Sequence, residues 1–240
     1  MKIFLIMALA FPAVADVAAF DVASVKPHVA AGSGSSISRP GGRLTIEGAS
    51  LKEILFYAHG IAWGREYALS GPDWLNSERF DVVATFPPEP SRERVREMLR
   101  ALLGERFGLR THDENRKLES YVLLPARHGP KLTPNTTGAE GAFITGEDGL
   151  TARALSMETF ADRLSGPVFR LERPVVDMTG IVVDMTGIKG AYDFKLNWTV
   201  NADQSLFTAL QEQLGLRLVA RKTTFSIVVV DHVDKVPTAN

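Results

Sequence analysis

The strongest hydrophobic pattern lies near the end of the chain. In residues 205–232 (SLFTALQEQLGLRLVARKTTFSIVVVDH), Leu206, Phe207, Leu210 and Leu214 recur at helical spacing, Gly215 follows, and two β-prone runs, 216–219 and 225–230, complete the stretch. That spacing predicts an amphipathic helix with its apolar stripe on a core. A looser copy occupies residues 95–125 (VREMLRALLGERFGLRTHDENRKLESYVLLP). There Val95, Met98, Leu99, Leu102, Leu103 and Phe107 share one helical face behind the capping residue Ser91, and runs 109–112 and 118–124 read as two strands paired around a polar turn. The run FSIVVV has no polar alternation after Ser226, which predicts a central strand covered on both faces.

The same period of apolar positions recurs earlier. Leu51, Ile54, Leu55 and Ala58 form one helical face, preceded by Ser50 and Glu53 at capping-box spacing and followed by the stop signal Gly60. Met157, Phe160, Ala161 and Leu164 repeat that face behind Ser156. Residues 20–25, 43–47, 80–86 and 191–198 are β-prone, the third of these ended by Pro87 and Pro88. Residues 31–42 (AGSGSSISRPGG) read as a loop, because their glycine spacing matches neither a P-loop nor a dinucleotide fingerprint.

Laid together, the halves share three anchors. Leu44 to Ser50 matches Leu150 to Ser156 at an offset of 106, Phe80-Asp81-Val82 matches Tyr192-Asp193-Phe194 at 112, and Gly108-Leu109-Arg110 matches Gly215-Leu216-Arg217 at 107. The larger offset coincides with a doubled heptapeptide, VVDMTGI at 175–181 and again at 182–188, one copy of which is expected to loop out. The expected fold is α+β: two tandem related repeats, each an antiparallel-rich sheet with two helices packed on one face. The expected division is a signal peptide at 1–15, a first repeat at 16–131, a linker or long loop at 132–149, a second repeat at 150–234 and a frayed tail at 235–240.

Composition changes this picture little. The chain has 240 residues, 45% hydrophobic and 23% charged, with a formal net charge of -1, so no overall field favours nucleic acid or an anionic membrane. The outer face of the helix at 92–107 carries Arg92, Arg96 and Arg100 among Glu93 and Glu97, the pattern of a solvated surface rather than a nucleic-acid groove. Cysteine is absent, which excludes disulfides, thiolate metal sites and a Cys nucleophile. At the N-terminus, Lys2 precedes an apolar run, 3–11, and Ala13-Val14-Ala15 supplies a small-x-small cleavage pattern, so export with cleavage after Ala15 is expected. No later stretch is long and apolar enough to predict a membrane span.

Candidate chemistry is sparse. His28, His59, His112, His128 and His232 stand at no metal-ligand spacing, and no GxSxG elbow or Ser-x-x-Lys is present, so no catalytic, cofactor or metal residue is assigned. His59 reads as a helix C-terminal residue and His232 as a strand end. Asp177, Asp184 and Asp193 raise paired-carboxylate chemistry, but Asp177 and Asp184 are copies of one position and Asp193 matches Asp81, which points to strand ends and turns. Asn135 and Asn197 open glycosylation-type triplets. Trp63 and Trp74 remain the candidate ligand or partner contacts, since exposed indoles stack on sugars or peptides and buried ones fill a core.

Several stretches together carry a family resemblance: FDVASVKP at 20–27, GPDWLNSERF at 71–80, MLRALLGERFGLR at 98–110, GPKL at 129–132, RPVVDMTG at 173–180, GAYDF at 190–194 and SLFTALQEQLGLRL at 205–218. The chain resembles the soil-associated secreted protein family, a domain of unknown function expanded in soil bacteria such as Acidobacteria. The doubled VVDMTGI departs from that pattern, which has one copy. The resemblance implies an exported protein. Some related domains are fused to sensor metallopeptidases of the beta-lactam-receptor type, whose membrane helices and zinc motif this chain does not show. The helix-glycine-strand unit also looks like the small N-terminal domains of secretins and TonB-dependent receptors, which are interaction modules. The expected function is therefore that of a non-catalytic envelope protein binding a protein partner at a sheet edge, with glycan or small-ligand binding through Trp63 or Trp74 as the alternative and a hydrolase as the weakest.

Overall fold

In a computed structural model the described residues are 19–29, 34–86, 90–137, 141–146, 149–169, 171, 173–177, 190–198 and 205–239. The expected signal peptide, Asp184 and all of the doubled segment beyond Asp177 lie outside them. The fold is α+β, with four α-helices and three mostly antiparallel sheets among the described residues.

The first sheet has the order β1-β5-β3-β2, from β1 (Val22–Pro27), β2 (Ser36–Ser38), β3 (Arg43–Ser50) and β5 (Arg79–Thr85), all neighbours antiparallel. Leu44, Ile46, Phe80, Val82 and Ala84 alternate onto one face of it and are fully covered. Two helices cover them, α1 (Leu51–His59) and α2 (Arg92–Phe107). The start of α1 is the expected capping box: Ser50 Oγ accepts from Glu53 N, and the Glu53 carboxylate accepts from Ser50 N at 2.7 Å. On the outer side of α2, Glu93 accepts from Arg96 and Arg100, and Glu97 from Arg94, so these charges pair along the surface.

The third sheet has the order β7-β11-β9-β8, from β7 (Thr133–Asn135), β8 (Ala142–Gly146), β9 (Gly149–Ser156) and β11 (Ala191–Asn197), again all antiparallel. Its core side is closed by α3 (Met157–Ser165) and by α4 (Leu206–Ala209), which continues as a π-helical turn over Leu210–Leu214. Residues 132–149, expected as a linker, thus include both outer strands of this sheet. Thr, Pro and Gly mark outer strands as readily as loops, and composition alone does not separate the two.

Both sheets carry a two-residue bulge at the same place. Glu47 and Gly48 oppose the single residue Asp81, and Arg153 and Ala154 oppose the single residue Asp193. Gly48 has φ +59° and Ala154 φ +46°, the left-handed region that costs a residue bearing a Cβ. Each bulge is held by its aspartate: Asp81 Oδ1 accepts from Gly48 N, and Asp193 Oδ1 from Ala154 N, both at 2.8 Å. A neighbour from the outer-strand side completes each lock, His28 just past the end of β1 on Asp81 and the Asn135 amide of β7 on Asp193, also both at 2.8 Å.

The second sheet joins these two bodies and corrects the expected topology. Residues 109–112 and 118–124 do not pair with each other; all but Leu109 belong to one long strand, β6 (Arg110–Pro125). Likewise 216–219 and 225–230 are parts of one strand, β12 (Leu216–His232). β6 and β12 pair antiparallel along their whole length, from Leu216 opposite Pro125 to His232 opposite Arg110, with a single bulge near His232. Short strands flank this ribbon in parallel on either side: β4 (Leu69–Ser70) on β12, and β10 (Val175–Asp177) on β6. The far end of β6 delivers Leu123 to the core under the third sheet, and the far end of β12 lays Val228 and Val230 against the core under the first. Each half's terminal strand therefore completes the other half's core. FSIVVV is interior in strand order, as expected, but only Phe225 and Ile227 are buried, because the ribbon keeps one face toward water.

The expected frayed tail is docked instead. Asp234 N donates to Phe107 O and Thr238 N to Arg106 O, both at 2.8 Å, and Lys235 pairs with Glu78. These bonds satisfy carbonyls that the end of α2 leaves without helical partners.

Candidate functional site

Sequence-distant charged residues meet where the loop after α1 crosses α3. Glu158 and Asp162 are four residues apart on α3, so their carboxylates lie one above the other on one face. Arg65 bridges them: Nε donates to Asp162 Oδ1 at 2.6 Å and a terminal nitrogen donates to Glu158 at 3.0 Å. The approach depends on Gly64, at φ +95°, where a Cβ would stand 1.9 Å from the Asp162 carbonyl oxygen. Beside the ion pairs Tyr67 meets Phe225 edge-on, with ring centroids 4.8 Å apart. A cavity of about 310 Å³ lies between these groups and Val175 and Val176.

Electrostatics mark this joint as partly desolvated. Asp162 is only 8% exposed. Burial pushes its carboxyl above the ordinary range, while the hydrogen bond from Arg65 pulls it back. Arg65 is held above its own usual value, first by that hydrogen bond to Asp162. Burial pushes the Tyr67 phenol up to about 12, so it stays protonated at neutral pH. The Asp162 carboxylate is thus already bonded to the Arg65 guanidinium, and the Tyr67 phenol keeps its proton beside them.

Next to the joint lies an aromatic corner. The Arg163 guanidinium stands over the Trp63 ring at 5.0 Å and over Phe143 at 5.7 Å. Phe143 packs toward Phe169, which stacks on Trp198 with centroids 5.0 Å apart. Three large apolar side chains face solvent in this part of the molecule: Trp63 is 47% exposed, Val168 43% and Ile144 66%. Phe143 and Ile144 belong to β8, an outer strand whose other side has no pairing segment among the described residues.

The expected contacts separate here. Trp63 lies in this corner with one face under Arg163. Trp74 is half-buried against the first core, with the Lys235 ammonium 5.7 Å from its ring. Asp193 is committed to its bulge, His112 pairs with Asp231 across the ribbon at 2.8 Å, and His232 lies 3.4 Å from Asp234. His59 ends α1 as expected, and burial followed by the nearby Arg100 charge pushes its imidazole down. Asn135 gives its amide to Asp193 and takes a hydrogen bond from Thr137 N. Among the described residues no three His, Asp or Glu side chains converge on a common point for a metal ion.

Sequence reasoning missed Arg65, Asp162, Arg163 and Ile144. The Glu158–Asp162 spacing was a visible signal, but its partner Arg65 lies 93 and 97 residues away, and the Ala-Phe-Ile-Thr of β8 sat in a stretch whose composition reads as a loop.

No curated protein and no solved structure matches the chain. One family model does, over residues 52–233, a span that starts within α1, after β3, and ends just past β12. The chain belongs to the family described as protein of unknown function (DUF3738).

Proposed function

We propose that this chain is an exported, non-catalytic interaction module of the bacterial envelope, built of two tandem related α+β repeats, which binds a protein partner by taking its strand along β8. The repeat reading is supported by matching strand order, matching bulges and matching aspartate locks in the first and third sheets. It is supported again by the second sheet, where the parallel pairs of β4 on β12 and β10 on β6 fall at the same offset as the helices. The mature chain runs from Asp16.

The observation that carries the binding reading is the character of the outer strands. Natural proteins guard sheet edges with proline, charge or brevity. β1 ends in Lys26-Pro27, β7 contains Pro134, β4 and β10 are two and three residues long, and β2 is three residues followed by Arg39-Pro40. β8 is five residues with neither charge nor proline, and it exposes Ile144. An open edge of this kind pairs with an extended segment, backbone to backbone.

The test is capture from envelope extract of the source organism by the mature protein and by its Ile144→Lys variant, alongside a glycan array. A protein retained by the first and lost by the second is the expected result. Saturable glycan binding abolished by Trp63→Ala, with no protein retained, would overturn it in favour of carbohydrate recognition. N-terminal sequencing of the exported chain should begin at Asp16.

A further inference from the structure

The chemistry of the β8 edge specifies the segment it takes. In the pairing with β9, Ala142 stands beside Arg153, Phe143 beside Ala152, and Ile144 beside Thr151, which in turn stands beside Lys195 of β11. Side chains alternate between faces along a strand. Phe143 therefore points with Ala152 to the core side, where Arg163 and Phe169 back it. Ala142, Ile144, Arg153 and Lys195 belong to the opposite, outer face, and Arg153 and Lys195 are exposed there. Because Ala142 is small, the longer Arg153 side chain can extend over it toward the edge. Asp193, the carboxylate nearest Arg153 among the described residues of this sheet, is committed to Ala154 and Asn135. Arg153 stands beside Ala142, so a strand's carboxylate is best placed at that end of β8.

We infer that β8 accepts an extended segment of a partner protein bearing, on consecutive residues, a carboxylate beside Ala142 and Arg153, an apolar side chain beside Phe143 and a second apolar side chain beside Ile144. This rests on the strand-addition reading above. The backbone bonds supply affinity, and the acid-apolar-apolar order supplies selectivity. Edge-to-edge pairing with the β8 of a second copy does not meet the requirement, because that strand carries no carboxylate.

The test uses two short labelled peptides, one with a Val-Phe-Glu centre, which antiparallel addition like that of every pair in this sheet sets with Glu beside Ala142, and one with a Val-Phe-Lys centre, titrated by fluorescence anisotropy against the mature protein. The acidic peptide should bind about tenfold more tightly at low salt. Arg153→Glu should reverse that preference, and Ile144→Lys should remove binding of both; both positions are exposed, so folding is not at stake. Equal affinities, or a preference indifferent to Arg153→Glu, overturn the inference. If an envelope protein is still lost on Ile144→Lys in that case, only the acid-apolar-apolar rule has failed. If Ile144→Lys changes neither peptide binding nor capture, strand addition itself has failed. A concentration-dependent dimer abolished by Ile144→Lys would assign the edge to a second copy instead.

Discussion

Gly48 and Ala154 hold corresponding places in the first and third sheets, yet one residue suits its backbone and the other does not. Both bulges put a left-handed residue opposite an aspartate, and both aspartates accept its N–H at 2.8 Å. In the first sheet glycine removes the strain. In the third sheet alanine keeps it, and the hydrogen bonds of Asp193 oppose it. The two bodies differ in the same direction elsewhere. The first has guarded edges and a sixteen-residue α2; the third has in β8 an edge that no described segment pairs, and a last helix that widens into a π-turn. Geometry kept in one half at low cost is held under strain in the other, and the strained half is the one with the open edge.

The largest effect should come from breaking either core. Phe107 is fully buried beside Phe80, and Phe160 beside Phe194, each pair 4.9 Å apart. Phe107→Ala and Phe160→Ala should each cost about 3–5 kcal/mol. Because the ribbon strands complete one another's cores, both should lower a single calorimetric transition. Two separated transitions in either variant would mean that the halves unfold independently. A smaller effect is expected at the joint. Gly64→Ala places a Cβ on the Asp162 carbonyl in a left-handed backbone, and should cost about 2–3 kcal/mol in urea unfolding. A cost near that of an ordinary surface change would show that the loop does not hold α3.

The bulges offer a finer test. Ala154→Gly should stabilise by about 1 kcal/mol, whereas Gly48→Ala should destabilise by a similar amount or more, since its Cβ would also meet the Gly34 carbonyl at 2.9 Å. Equal responses at the two sites would remove the contrast between the sheets.

Acid titration gives the smallest signal and the clearest sign. Backbone donation from Ala154, then the Asn135 amide, hold Asp193 below the ordinary carboxylate range. Its stabilisation is therefore present above about pH 4 and is lost as pH falls through the lowered value. Asp162, raised by burial, works the other way: its contribution is fullest below about pH 4 and declines as pH rises through the raised value. In thermal melts across pH 2–6, the gap between wild type and Asp193→Asn should close on acidification, while that for Asp162→Asn should shift in favour of wild type. Parallel slopes for the two variants would contradict these assignments.

Much of the local structure was legible. The capping box at Ser50, the caps Ser91, Ser156 and Ser205, and the apolar faces of α1, α2 and α3 lie where periodicity placed them. Each depends on residues within one or two turns of one another. The ribbon was not legible, because the polar stretches 113–117 and 220–224 look like turns. They are exposed or half-buried in the strands for a different reason: the ribbon crosses between the two bodies there, and water covers what a core does not.

The candidate site was legible only in fragments. Trp63 was singled out, but Arg163 above it was not. The charges at 158 and 162 were one helix face among several until Arg65 arrived from ninety-seven residues away on Asp162. The edge at 142–146 lay inside an expected linker.

By itself, then, the sequence determined helix faces, caps, strand segments and the echo between halves, because each is set by spacing along a short stretch of backbone. Tertiary structure decided which strands pair, where the tail docks, which edge stays open and what surrounds it. A strand's local pattern specifies that it will pair and which face is apolar, but its partner is fixed only by the packing of distant segments into shared cores.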